Sequence, residues 1–142
     1  MGTNTLVIRT CQKEDSEAIV RLWQESNLIV PWNDPWNDIS IKLGFQPDLF
    51  LVGTMENRIV ATAMAGYEGH RGWINYLAVS PEKRRQGIGR RMIEAAEKKL
   101  KSLGCPKLNV QIRNSNNDVV EFYKRVGFSD DNVVGFGKKL KQ

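Results

Sequence analysis

From Trp73 to Leu100 the sequence reads WINYLAVSPEKRRQGIGRRMIEAAEKKL. An apolar, strand-like run (Trp73–Val79) ends at Ser80–Pro81, a basic turn with two glycines follows, and a long amphipathic segment closes the unit. Ile88, Met92, Ala96, Leu100 and Leu103 recur at helical spacing, so the segment after the turn is a helix with one apolar stripe. Gly104 and Pro106 stop it. A strand feeding a long helix through Arg84–Gly89 (RRQGIG) requires a sheet for that stripe to pack against. It also sets a glycine-rich basic turn at the helix start, where backbone N–H groups lack partners and the dipole end is positive. Such a corner accepts an anion. Gly87 and Gly89 remove Cβ atoms that would hold a diphosphate away, and Arg84, Arg85 and Arg90 add charge-assisted donors. A solvated basic turn is the competing reading of the same six residues.

The rest of the chain falls into elements around that unit. Thr5–Thr10 reads as a strand. Asp15 or Ser16 can cap a helix carrying Ile19, Leu22 and Trp23. Pro31 and Pro35 break the chain, and a short helix is expected around Ile39–Phe45. Asp48–Thr54 and Arg58–Gly66 form a hairpin about Met55–Asn57. Lys107–Arg113 alternates as a strand, and Asn114–Asn117 caps a helix with Val119, Phe122, Tyr123 and Val126 on one face, ended by Gly127. Val133–Leu140 is expected to be a last strand. The order is α+β: a mixed sheet flanked by helices.

At 142 residues one domain spanning 1–142 is expected. No apolar run approaches the roughly 20 residues of a membrane span. The N-terminus lacks the pattern of a signal peptide, and Leu6 stands where myristoylation after Gly2 wants Ser or Thr. Two cysteines, Cys11 and Cys105, without CxxC spacing, and a lone His70 argue against a metal and for a reducing cytoplasm. The net charge of +5 favours anionic ligands. Nucleic acid is not expected, because the aromatics lie in apolar stripes or the proline loop instead of interleaving with the cations. Glu94–Lys98 and Glu97–Lys101 are i,i+4 pairs of a solvated helix face.

Neither familiar phosphate loop fits RRQGIG. A Walker loop needs GxxxxGK with Ser or Thr. A dinucleotide fingerprint needs a third glycine, where Met92 stands, and an early strand. The spacing R-x-x-G-x-G does fit. With INYLAVSPEKRRQGIGRRMIEAAEKKL and then KLNVQIRNSNNDVVEFYKRVGF, ending in FYxxxGF at Phe122–Phe128, the chain resembles the GNAT superfamily of N-acetyltransferases over nearly its whole length. PWNDPWND and GYEGHRG also resemble its bacterial YpeA-type branch.

The resemblance implies a GNAT-like fold, with a splayed central sheet whose V-shaped gap admits acetyl-CoA. Backbone groups of Leu77, Ala78 and Val79 would pair with the pantetheine arm. Arg84, Arg85, Gln86, Gly87, Ile88 and Gly89, with Arg90, would surround the diphosphate, and Asn116 would contact the cofactor arm. Tyr123 would be the general acid for the departing thiolate. A phenol stays protonated at neutral pH, though a core aromatic is the plainer reading of that residue. The activity implied is acetyl-CoA-dependent transfer to a primary amine by direct attack in a ternary complex, without an acyl-enzyme. The acceptor is a small molecule, a protein N-terminus or a lysine. A non-catalytic CoA-binding sensor is the alternative, and a homodimer is entertained. Glu68 is the first candidate for the base, acting through water, against a plain turn pairing with Arg71. The duplicated PWND borders the acceptor side by the same resemblance, with Trp32 as a wall, Asp34 and Asp38 drawing a cationic amine, and Tyr76 lining the pocket. Trp36 is the one more simply read as pinned to the core.

Overall fold

The computed structural model describes residues 5–141. Gly2, on which the acylation reading turns, lies outside them. The chain divides after Asn109 into two compact units, each described by itself.

The first unit is built on a five-stranded sheet in the order β1-β2-β3-β4-β5. Its strands are β1 (Val7–Thr10), β2 (Phe50–Met55), β3 (Arg58–Tyr67), β4 (Gly72–Val79) and β5 (Leu108–Asn109). The pairs from β1 to β4 are antiparallel, and β4 pairs with β5 in parallel. Three helices belong to this unit: α1 (Ser16–Glu25), α2 (Pro35–Leu43) and α3 (Ile88–Ser102). The expected mixed sheet with helices is therefore present.

Alternation along the strands sorts the core into two layers. Phe50, Val52 and Ala78 pack with Ile19, Leu22 and Trp23 of α1 and Ile39 of α2. Full burial of a side chain such as Ile19 or Phe50 contributes about 1.5–3 kcal/mol. On the opposite face, α3 buries Ile88, Met92, Ile93, Ala96 and Leu100. Gly53 lets that helix come close, since a Cβ there would stand 3.0 Å from Met92 Sδ. Leu103, expected on the same stripe, is 49% exposed because it lies past the last helical turn.

Several boundaries depart from the sequence expectation. Pro35 does not break the chain; it starts α2, with Asp34 as the cap whose side chain accepts from Asn37 N at 3.2 Å. Proline suits a first helical position because its missing N–H would be unpaired there anyway. The hairpin turn is Glu56–Asn57, both left-handed (φ 53° and 63°), so β2 keeps Met55. Asp15 stands at the start of α1, but its carboxylate bonds Arg9 and the Gln12 N–H instead of capping. Asp48 lies in a short 3-10 turn, Pro47–Leu49, so β2 begins at Phe50.

The second unit holds α4 (Asn117–Arg125), after which Gly127 takes a φ of 102° and turns the chain away. The strand expected over Lys107–Arg113 shrinks to Leu108–Asn109. Among the described residues, Val133–Leu140 forms no strand, and Phe136 is 93% exposed. Alternating side chains do not make a strand unless a neighbouring ladder satisfies the backbone.

Candidate functional site

The central feature is a bulge in β4. Met64 pairs with Asn75 and Thr62 with Ala78, so Tyr76 and Leu77 together face Ala63. Tyr76 takes up the extra length in a left-handed conformation, φ 51°. A bulky residue rarely holds that geometry unless its surroundings fix it, and three contacts do so here. Its ring stacks on Trp23, centroids 3.7 Å apart and 7° from parallel. Its hydroxyl donates to Asp38 Oδ2 at 2.6 Å. Its carbonyl accepts from Thr62 Oγ1 at 2.8 Å, and that oxygen also accepts from Trp23 Nε1 at 2.9 Å. Burial, then the bond to Asp38, raises the Tyr76 pKa. Tyr76 is thus a neutral, half-buried brace between α1, α2 and β4.

Beyond the bulge, one edge of β4 is open. Its ladder to β5 covers only Gly72–Leu108 and Trp73–Asn109, while β3 occupies the other edge as far as Val79. Among the described residues, Ile74 to Val79 have no strand partner on the β5 side. The chain then passes through a 3-10 turn, Pro81–Lys83, into the basic loop. Arg85 and Gly87 are both left-handed (φ 65° and 76°). Gly87 stands at the helix start with no side-chain cap, and nothing lies within 4 Å of where its Cβ would be. Ile88 and Gly89 are buried, whereas Arg84, Arg85, Gln86 and Arg90 are exposed. Arg84 donates to the Val79 carbonyl at 3.3 Å, which ties the loop back to the end of β4. An extended polar arm can add to the β4 edge as a strand would, and a diphosphate can take the N–H groups at the start of α3. The residues present therefore fit coenzyme A.

A pocket of about 220 Å³ opens beside the first half of β4, between α2 and the β3–β4 turn. Lys42, Phe45, Met64, Glu68, Trp73 and Asn75 line it. Gln46 clasps Tyr67, another lining residue: its side-chain amide donates to the Tyr67 carbonyl at 2.7 Å and accepts from the Tyr67 N–H at 2.9 Å. Glu68 folds onto its own turn. Its Oε1 accepts from the backbone N–H groups of His70 and Arg71, the latter at 2.6 Å. Those bonds, Arg71 first, hold its pKa below the usual glutamate value. The turn reading of Glu68 thus has its geometry through backbone donors, while the carboxylate still borders the pocket.

In the proline segment, Trp32 and Trp36 are 57% and 51% exposed, so Trp36 is not pinned to the core as the sequence suggested. Asp34 caps α2, and Asp38 holds Tyr76. In the second unit, Asn116 caps α4 through a 3.4 Å bond from the Val119 N–H. Tyr123 is buried, with its ring edge-on to Phe122 and Phe128 at 5.2 Å each. Burial pushes its pKa up to about 12.

Two residues of this region escape a sequence reading. Thr62 sits in an ordinary strand run, and Lys42 in a helix where lysine normally reads as surface. A lysine within one turn of the apolar Ile39 and Leu43 was the only available sign.

Comparison with known proteins agrees with this geometry. The model of the acetyltransferase (GNAT) family matches residues 16–128. An acetyltransferase of Yersinia pestis (strain Pestoides F) is 41% identical over 133 residues, covering 94% of each chain. The crystal structure of PaiA N-acetyltransferase from Thermoplasma acidophilum, in complex with coenzyme A, superposes with a TM-score of 0.78. It is 18% identical and covers 92% of this chain and 94% of its own. The ribosomal-protein-S18-alanine N-acetyltransferase from Escherichia coli gives a TM-score of 0.75 at 22% identity, covering 90% of this chain and 80% of its own. At these identities the two structures speak to the fold alone.

Proposed function

The chain belongs to the acetyltransferase (GNAT) family, and from that premise we propose that it transfers acetyl from acetyl-CoA to a primary amine by direct attack in a ternary complex. The observation that carries the reading is the open β4 edge running into the Arg84–Gly89 loop and the uncapped start of α3. Leu77, Ala78 and Val79 would hold the pantetheine arm through backbone groups. Arg84, Arg85, Gln86, Gly87, Ile88, Gly89 and Arg90 would hold the diphosphate, and Asn116 would touch the arm. Acetyl-CoA supplies the activated acyl group, and the work left to the chain is positioning and proton transfer. The single domain 1–142 expected from length is carried forward with this reading.

Tyr123 is the acid of this scheme. With its pKa at about 12, it keeps its proton through the neutral range and has one to give to a departing thiolate. Glu68 is the base, working through water. Its depressed pKa keeps it ionised, which suits attraction of an ammonium but makes it a weak proton acceptor. Trp32, Asp34 and Tyr76 complete the acceptor side, Tyr76 by fixing the bulge. The acceptor class, a small molecule or a protein amine, is open to both kinds named at the sequence level.

The first experiment is melting with and without acetyl-CoA. A hundredfold excess over Kd should stabilise the fold by about 2.7 kcal/mol; no shift at millimolar cofactor would remove the reading. Thiol release against a panel of amines then separates an enzyme from a CoA-binding sensor. The sensor is favoured by one observation only, that the candidate base already accepts two backbone bonds.

A further inference from the structure

Lys42 is a largely buried lysine whose ammonium has no ion-pair partner among the described residues. It stands in the last turn of α2 and is only 8% exposed. Its Nζ lies 5.7 Å from the centre of the Phe45 ring, and a Cβ on Gly66 would come within 3.7 Å of it. The ammonium therefore reaches across to the surface of β3, into the pocket that Met64, Trp73 and Asn75 wall on the β3–β4 side. Burial lowers its pKa, and the field of Asp48 only partly offsets this. The lysine stem is buried while the ammonium still meets solvent in the pocket, and no carboxylate forms an ion pair with it there. A cation kept in that state on a pocket wall is preorganised for an anion that arrives from outside.

We propose that this pocket receives the carboxylate of the acceptor, so that the amine substrate is an amino-acid-sized acid with an apolar side chain. Size supports it, because about 220 Å³ is below the roughly 300–1,000 Å³ of sites for drug-sized ligands. The walls support it, because Phe45, Met64 and Trp73 offer apolar surface while Lys42 and Asn75 offer polar contacts. The charge favours a carboxylate over a phosphate. Among the described residues the pocket is lined by one ammonium, near the negative end of a helix, and by the Glu68 carboxylate at its far side, with no helix N-terminus or second cation to meet a dianion. Asn75 immediately precedes the bulged Tyr76 and the open edge at Leu77. An acid anchored at Lys42, level with Gly66 and Trp73, can thus extend its amine along β4 toward that edge, away from the turn that holds Glu68.

That the ligand is the acceptor rests on the acetyltransferase reading; that the pocket binds an acid does not. The test titrates the whole protein with N-acetyl-L-phenylalanine and with its amide, following the Met64 methyl and Trp73 indole resonances by NMR. The acid should bind at least about tenfold more tightly than the amide and move both resonances. Lys42→Met should shrink that gap to about twofold or less, and Lys42→Arg should preserve it. Equal affinities in the wild type, shifts away from these residues, or no binding at roughly 10 mM would overturn the proposal without recourse to a variant. In parallel, thiol release is compared for L-phenylalanine and L-phenylalaninamide. Amines turned over with no advantage for the acid would defeat the pocket assignment and leave the acetyltransferase reading standing. Acid binding at Lys42 with no amine turned over would do the reverse.

Discussion

Replacing Thr62 by valine tests the brace that holds the bulge. The side chain is fully buried, and its one hydroxyl accepts from Trp23 Nε1 at 2.9 Å and donates to the Tyr76 carbonyl at 2.8 Å. Valine keeps the shape and removes both bonds. The indole N–H, on a side chain with no exposure, is then left without an acceptor, and the carbonyl of a left-handed residue loses its donor. Each of the two groups left unsatisfied costs about 1–3 kcal/mol, so Thr62→Val should lose about 2–6 kcal/mol out of a total of order 5–15 kcal/mol. Thr62→Ser is the control. It keeps the hydroxyl and removes a methyl, at about 1 kcal/mol. Equilibrium unfolding in urea, followed by tryptophan fluorescence and compared at constant m, measures both. Stabilisation by acetyl-CoA should also weaken in the valine variant, since Leu77 follows directly on the bulge. If valine proves no worse than serine, the hydroxyl does not hold Tyr76 in place and the account of the bulge is wrong.

Three more perturbations address chemistry and pH. Tyr123→Phe should cut turnover by about a hundredfold or more while leaving Kd for acetyl-CoA within about twofold; it removes one proton donor and no charge, and unchanged turnover would end the acid assignment. Glu68→Gln should alter the pH–rate profile, because a carboxylate held below its ordinary pKa is ionised through the neutral range; a profile identical to wild type would show that the proton leaves by another route. Asp15 is held below its ordinary 3.8 mainly by its bonds from Arg9, with help from the Gln12 N–H. A depressed folded pKa stabilises the fold above the unfolded value and is lost as pH falls through the folded one. The stability gap between wild type and Asp15→Asn should therefore be full at neutral pH and close progressively below pH 3.8; a gap independent of pH would contradict the pairing.

What the sequence revealed and what it hid divide along physical lines. Helix α3 was legible because its apolar residues repeat with the helical period and a glycine with φ 84° follows at Gly104. Its basic glycine loop was legible because the residue types needed at a helix start are few. The start of α2 was misread because Pro35 looks like a breaker until Asp34 is recognised as the cap before it. The bulge could not be read at all. Tyr76 is left-handed because Trp23, Asp38 and Thr62, from three separate elements, converge on it. Lys42 was hidden for a related reason: its burial depends on Phe45, the Gln46 clasp and the surface of β3, none of which is a property of lysine.

Lys107–Arg113 carries the argument one step further. Its alternation predicts which residues share a face, yet says nothing about where a ladder ends, because pairing belongs to two strands at once. The ladder stops at Trp73–Asn109. On the β4 side, the bulge follows within three residues and turns the register. A sheet that kept pairing past this point would satisfy its own backbone and leave no edge for a substrate arm. The short β5, a flaw when judged against the sequence pattern, is thus the same feature as the open edge on which coenzyme A is proposed to bind.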